Sequence, residues 1–155
     1  MKLFQIEEPD GEPADPNASG AAIGIDAGGA GAEVAFSVGG NALVLDDREG
    51  FEQALPVPAI AAGTATWQEL LEGARMRAER ALARPVTHAV ILLAATPDAG
   101  TARRLIQAAE QAGLAVLRLA SRGELSAGRT PALAAAMLAE DLAPRPELGA
   151  APDPS

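Results

Sequence analysis

Asp26 stands at the exit of a short apolar stretch, Ala22-Ile23-Gly24-Ile25, and is followed by Ala27-Gly28-Gly29-Ala30-Gly31-Ala32. An aspartate leaving a buried strand is costly unless it has partners or work. The glycines behind it permit positive φ and let backbone approach a ligand closely. Together they suggest a turn that holds phosphate and a metal, its backbone N–H groups donating to the anion. Asp26, Gly28, Gly29, Ala30 and Gly31 are the candidate phosphate-turn residues, and Asp26 is the candidate metal residue. A plainer role stands beside this one. The glycines serve a hairpin, and Asp26 bonds nearby backbone amides as turn aspartates do.

Other reactive side chains are sparse. The single histidine, His88, lies between Thr87 and Ala89 in an apolar run, where a packed or surface role outweighs catalysis. Ser37 and Ser121 have no histidine–acid arrangement near them in sequence, which speaks against a hydrolase triad. Trp67, at a helix start, reads as a core or interface anchor. Residues 121–129 follow a strand, and loops at that edge of open α/β sheets often bind ligands. Arg122 and Arg129 offer charge for an anion there, although an ordinary solvated loop explains them as well. No catalytic residue is assigned.

Composition narrows the classes further. With 155 residues, 48% of them hydrophobic, the chain has enough apolar material for one core. A net charge of -9 and 3% aromatics oppose nucleic acid, which asks for a basic footprint and stacking surfaces. The same charge opposes anionic membrane surfaces. With no cysteine and one histidine, thiolate sites and zinc clusters are excluded. Residues 1–8 lack a basic region followed by an apolar run, and no apolar run reaches the length of a bilayer span. The expectation is a cytoplasmic protein.

The elements that must position Asp26 are legible as patterns. Residues 1–20, acidic and rich in Pro, Asp and Gly, read as a flexible leader, with Leu3-Phe4-Gln5-Ile6 as an optional edge strand. Residues 143–155, rich in Pro and small residues, read as a disordered tail. Between them, residues 21–142 form one domain. Ile23-Gly24-Ile25 is a strand, and Val34, Phe36 and Val38 alternate with polar or small residues as a second. Gly39-Gly40-Asn41 is a hairpin turn leading to Ala42-Leu43-Val44-Leu45. Asp46-Asp47-Arg48-Glu49-Gly50 is a charged turn, and residues 56–61 are an edge strand interrupted by prolines. Thr66 and Glu69 form a capping box for a helix whose apolar face is Trp67, Leu70, Leu71, Ala74, Ala78, Ala81 and Leu82. Glu72, Arg75, Glu79 and Arg80 make its exposed, self-paired face. Residues 86–93 form a buried strand. Asp98 caps a second helix with inner residues Ala102, Leu105, Ile106 and Ala109, stopped by Gly113. Residues 114–119 are another strand, parallel to the previous one through a right-handed crossover. Thr130 and Pro131 open a last helix over residues 132–142.

In this order the residues resemble the DnaK-type heat-shock chaperones. Ile23-Gly24-Ile25-Asp26-Ala27-Gly28-Gly29-Ala30 is similar to that family's I-G-I-D-L-G-T-T, and Pro56-Val57-Pro58-Ala59-Ile60 resembles T-P-S-x-V. Arg84-Pro85-Val86-Thr87-His88-Ala89-Val90-Ile91 resembles E-P-V-T-x-A-V-I. Ala108-Ala109-Glu110-Gln111-Ala112-Gly113-Leu114-Ala115-Val116-Leu117-Arg118-Leu119 and Thr130-Pro131-Ala132-Leu133-Ala134-Ala135-Ala136 resemble A-G-x-I-A-G-L-x-V-x-R-I and E-P-T-A-A-A-L. The resemblance implies an α/β fold, an actin-like (ribonuclease H-like) half-lobe, with a mixed sheet of a β-meander followed by β-α-β-α. It also implies that Asp26 would hold Mg²⁺ through water.

The departures from that pattern are chemical. Gly29-Ala30 replaces the phosphate-binding threonines, the segment bearing the family's catalytic lysine is missing before Thr66, and Arg129 replaces a glutamate. The second phosphate loop and second lobe have no counterpart. Micromolar ATP binding needs about 8 kcal/mol of net free energy, which half a cleft is not expected to supply. Two functions therefore fit. One is a non-catalytic remnant acting as an interaction or scaffold module, with a protein partner or homodimer over its uncovered apolar surface and no cofactor. The other is weak ATP/Mg or phosphate binding through Asp26 and Gly28 to Gly31.

Overall fold

The computed structural model describes residues 20–45, 55–60, 62–125 and 130–143. The expected leader and tail, apart from Gly20 and Ala143, lie outside them, as does the charged turn at 46–50. The chain is α/β, with one mixed open sheet of six strands among the described residues. The strands are β1 (Ala21–Ala27), β2 (Gly31–Val38), β3 (Asn41–Val44), β4 (Leu55–Pro56), β5 (Val86–Leu93) and β6 (Ala115–Ser121). The helices are α1 (Thr64–Leu82), α2 (Ala99–Gln111), the single turn α3 (Arg122–Leu125) and α4 (Pro131–Leu142). Strand order is β3-β2-β1-β5-β6, and β4 continues along β2. The first three strands form an antiparallel meander, whereas β1, β5 and β6 run parallel.

The meander turns at Gly39 and Gly40, both at positive φ (61° and 82°), which a two-residue hairpin requires. Glu140 of α4 holds this turn from outside. Its carboxylate accepts from Gly39 N–H at 2.6 Å, Gly40 N–H at 3.1 Å and Ser37 Oγ at 2.7 Å. Of the expected strand over residues 56–61, Pro56 pairs, residues 57–60 do not, and Ala61 lies outside the described residues. Pro56 and Pro58 cannot donate to a ladder, and pairing stops after Leu55 and Pro56, continued only by Val57 N–H to Ala30 O.

The two sheet faces are covered differently. Ile23, Ile25, Val34, Ile91 and Leu93 meet Trp67, Leu71, Ala74 and Leu105 on the face carrying α1 and α2. The opposite face carries α4, which packs Ala135 and Ala139 onto Ala22, Val90 and Leu92. Gly24 makes that close approach possible, because a Cβ there would lie 2.6 Å from the Ala135 carbonyl carbon.

Helix boundaries follow local capping. Asp98 accepts from Thr101 N–H at 2.7 Å and caps α2 as expected. Gly113 at φ 92° ends it, with Leu114 N–H returning to Ala109 O. Thr66 does not cap α1. The helix begins earlier, with Gly63 as N-cap and no side-chain cap bond, and Thr66 lies within its first turn. Ala81 is exposed. Ile106 is also exposed, because the buried side of α2 is Thr101, Leu105, Ala108 and Ala109. Arg75 and Glu79 pair at 3.1 Å and are part-buried rather than solvated. Arg75 donates to Ala112 O and Glu79 accepts from Val86 N–H, so together they tie α1 to the end of α2 and the start of β5.

Candidate functional site

Parallel β1, β5 and β6 all deliver their C-terminal ends to one edge of the sheet, where open α/β folds gather ligands. β1 ends in Asp26 and the glycine turn. β6 ends at Ser121, directly before Arg122. β5 lies between them, so the Arg122 side chain crosses the end of β5 to reach Asp26.

The two side chains form a bidentate ion pair. Arg122 Nε donates to Asp26 Oδ1 at 3.0 Å and a terminal guanidinium nitrogen donates to Oδ2 at 2.7 Å. Gly28 N–H donates to Oδ1 at 3.0 Å. Asp26 is 1% exposed, while the Arg122 side chain is 40% exposed. The hydrogen bonds that Arg122 donates to Asp26 raise its pKa, with a further charge contribution from Glu33, the residue opposite Asp26 on β2. The planar fork is the geometry in which arginine recognises carboxylates best.

Arg122 also covers the glycine turn. A Cβ at Gly28 would meet its Cδ and Nε at 2.7 Å, and one at Gly29 would lie 3.3 Å from its terminal nitrogen. The arginine thus packs against one side of Gly28 and Gly29. Of the sequence candidates, Asp26, Gly28 and Gly29 are together here. Ala30 turns toward β4, its carbonyl accepting from Val57 N–H, and Gly31 opens β2 opposite Pro56. Gly28 and Gly29 are not left-handed; among the described residues the positive-φ glycines are Gly39, Gly40 and Gly113. Their smallness matters for close approach rather than for turn conformation. Among the described residues, no group of three or more His, Cys, Asp or Glu side chains could hold a metal ion.

On the α1–α2 side of the same edge lies a cleft of about 500 Å³, bordered by Gly28, Gly29, Trp67, Leu93 and Asp98. Trp67 is buried and its indole N–H donates to Ala59 O at 3.2 Å, an anchor role in line with its sequence position. His88 is at the other end of β5, with Nδ1 2.7 Å from Thr87 Oγ1. Partial burial lowers its pKa. It has no contact with this site. Arg129 lies outside the described residues.

The chain matches no family model and no curated protein. Among the described residues, no helix is long and apolar enough to cross a membrane.

Arg122 was visible in the sequence only as one of two loop arginines with a possible anion. The anion it meets is the chain's own Asp26. The signal was a lone cation at a strand exit, on the same sheet edge as a lone strand-end carboxylate.

Proposed function

We propose that this protein is a non-catalytic remnant of a heat-shock chaperone ATPase lobe, working as an interaction or scaffold module. The observation that carries this reading is the Asp26–Arg122 pair. A carboxylate that would position Mg²⁺-bound water has its oxygens bonded to Arg122 and Gly28, and the guanidinium lies over the glycine turn. Bringing in a nucleotide phosphate requires that this ion pair be rearranged first. The order of strands, a meander whose first strand pairs in parallel with the later two, supports the actin-like half-lobe assignment. Interaction is supported by apolar surface. Val38 (61% exposed) and Leu43 (55%) share one face of the β2–β3 hairpin. Met76 and Ile60 are exposed too. The -9 charge favours a protein partner or second copy over nucleic acid or an anionic membrane.

Weak ATP or phosphate binding is the second reading, favoured by the open cleft beside Gly28 and Gly29. Calorimetric titration with MgATP separates the two. No saturable heat at millimolar MgATP is the expected result; saturable binding lost in Asp26→Ala would replace the first reading with the second. Light scattering tests the interaction half. A strict monomer at all concentrations, with no partner recovered by pulldown, would remove its support.

A further inference from the structure

β3 is an unguarded edge of the sheet. Among the described residues its neighbour is β2 alone, and Asn41-Ala42-Leu43-Val44 carries no charge, no proline and no register shift. Proteins blunt edge strands with such devices, because an open ladder invites another strand. The opposite edge, β6, has two of them. Arg118 is exposed at mid-strand, and the register shifts where β6 pairs with Ala89 and Val90 of β5. On β3, Leu45 N–H donates to Val34 O of β2. By alternation Leu43 and Asn41 also face β2, so Ala42 and Val44 turn their N–H and C=O groups outward. Leu43 and Val38 are 55% and 61% exposed, on the face that Phe36 shares.

The chain's own first residues fit this edge. Leu3-Phe4-Gln5-Ile6 is uncharged and apolar at three positions, and the acidic residues of 1–19 all follow it. The chain enters β1 at the sheet end that holds the Gly39-Gly40 turn, because β1 and β2 are antiparallel. From Ile6 to Gly20 there are 14 residues of chain, which reach at most about 50 Å. Crossing from the free side of β3 to β1 takes three strand spacings, about 14 Å. A segment linked in this way acts at an effective concentration of about millimolar order, whereas a second copy brings another charge of -9 and repels. We propose that residues 3–6 pair antiparallel with β3, Leu3 beside Val44, Phe4 beside Leu43, Gln5 beside Ala42 and Ile6 beside Asn41. This direction brings Ile6 to the turn end, from which the chain returns to Gly20. Leu3 and Gln5 then meet the outward groups of Val44 and Ala42, and Phe4 extends the cross-strand row of Ile23, Phe36 and Leu43. The pairing does not rest on the interaction reading. It makes any partner for Val38 and Leu43 compete with the chain's own leader.

The test uses the full chain and reads amides by NMR. Gln5→Pro removes the N–H that faces Ala42, so hydrogen exchange at Ala42 and Val44 should be about three- to tenfold faster in the variant, as suits the loss of one net hydrogen bond. Leu43 N–H faces β2 and should change less, and Ile91 in the core should not change. The chain has no cysteine, so Lys2→Cys takes a single nitroxide. It should broaden the amides of Val44 and Leu45 and leave residues 115–121 sharp. Mixing nitroxide-bearing chain with isotope-labelled chain that lacks the nitroxide should give no broadening, because the strand is intramolecular. Equal exchange at Ala42 and Val44 in parent and Gln5→Pro, sharp Val44 and Leu45 amides, broadening along β6 instead, or broadening that appears in the mixture would each overturn the proposal.

Discussion

Removing Arg122 should destabilise the protein more than removing its partner Asp26. In Arg122→Ala the carboxylate of Asp26 stays behind, 2% exposed as a side chain, with the Gly28 N–H still donating to it. Breaking a fully buried pair by removing one partner costs about 3–5 kcal/mol. Here the arginine side is 40% exposed, and water can enter the space it leaves. The expected loss is therefore discounted to about 1–3 kcal/mol. In Asp26→Ala the guanidinium can turn into solvent, leaving Gly28 N–H without its acceptor, at about 1 kcal/mol. The double variant should lose little more than Asp26→Ala alone, since Arg122 has then already lost its carboxylate. Leu105→Ala, which empties a 1%-exposed core position, sets the upper scale at about 2–5 kcal/mol. Urea denaturation followed by circular dichroism measures all four. Equal, additive losses for the two single variants would refute the coupling, and an Arg122→Ala protein as stable as the parent would show that Asp26 does not depend on its cation.

Gly24→Ala should cost at least about 3 kcal/mol, beyond ordinary overpacking, because the new methyl meets the Ala135 and Ala136 backbone rather than a movable side chain; thermal unfolding would show it. Glu140→Ala removes the acceptor for Ser37, Gly39 and Gly40, and should cost about 1–3 kcal/mol and speed amide exchange at the hairpin turn. Burial holds the His88 pKa below the ordinary 6.5, so the unfolded chain takes up its proton first as pH falls. The His88 contribution is full above pH 6.5 and is lost as pH drops below it toward the depressed folded value. Stability of the parent should therefore fall more between pH 7.5 and 5.5 than that of His88→Gln, as measured by urea midpoints.

Elements whose pattern is local were legible in the sequence. The alternation of Val34, Phe36 and Val38 places β2, the Gly39-Gly40 pair places its turn, and the run at residues 86–93 places a strand covered on both faces. Asp98 is followed at the right distance by an N–H it can accept from. Thr66 and Glu69 imitate the same signal, but α1 starts before them at Thr64. Periodicity misplaced Ile106 because α2 buries a stripe through Leu105, Ala108 and Ala109, and alanines on a helix give no contrast between faces. The site was half legible. Asp26 stands out by type and place, but a turn aspartate could be solvated, and its burial comes from packing. Its partner is 96 residues away, and no spacing rule links two strand ends before the sheet order is known.

The order of the sheet also bears on how fast the chain reaches it. β1 has one neighbour nearby in sequence, β2, and one remote, since Ala21 pairs beside Val86. The hairpin around Gly39 and Gly40 can form within about 1–10 μs. Aligning β1 with β5 must first close a long loop, whose entropy is lost before the contacts form. The central strand is therefore a kinetic bottleneck as well as the seat of Asp26. The meander can form early, but the carboxylate and its arginine meet only after the parallel half of the sheet has assembled.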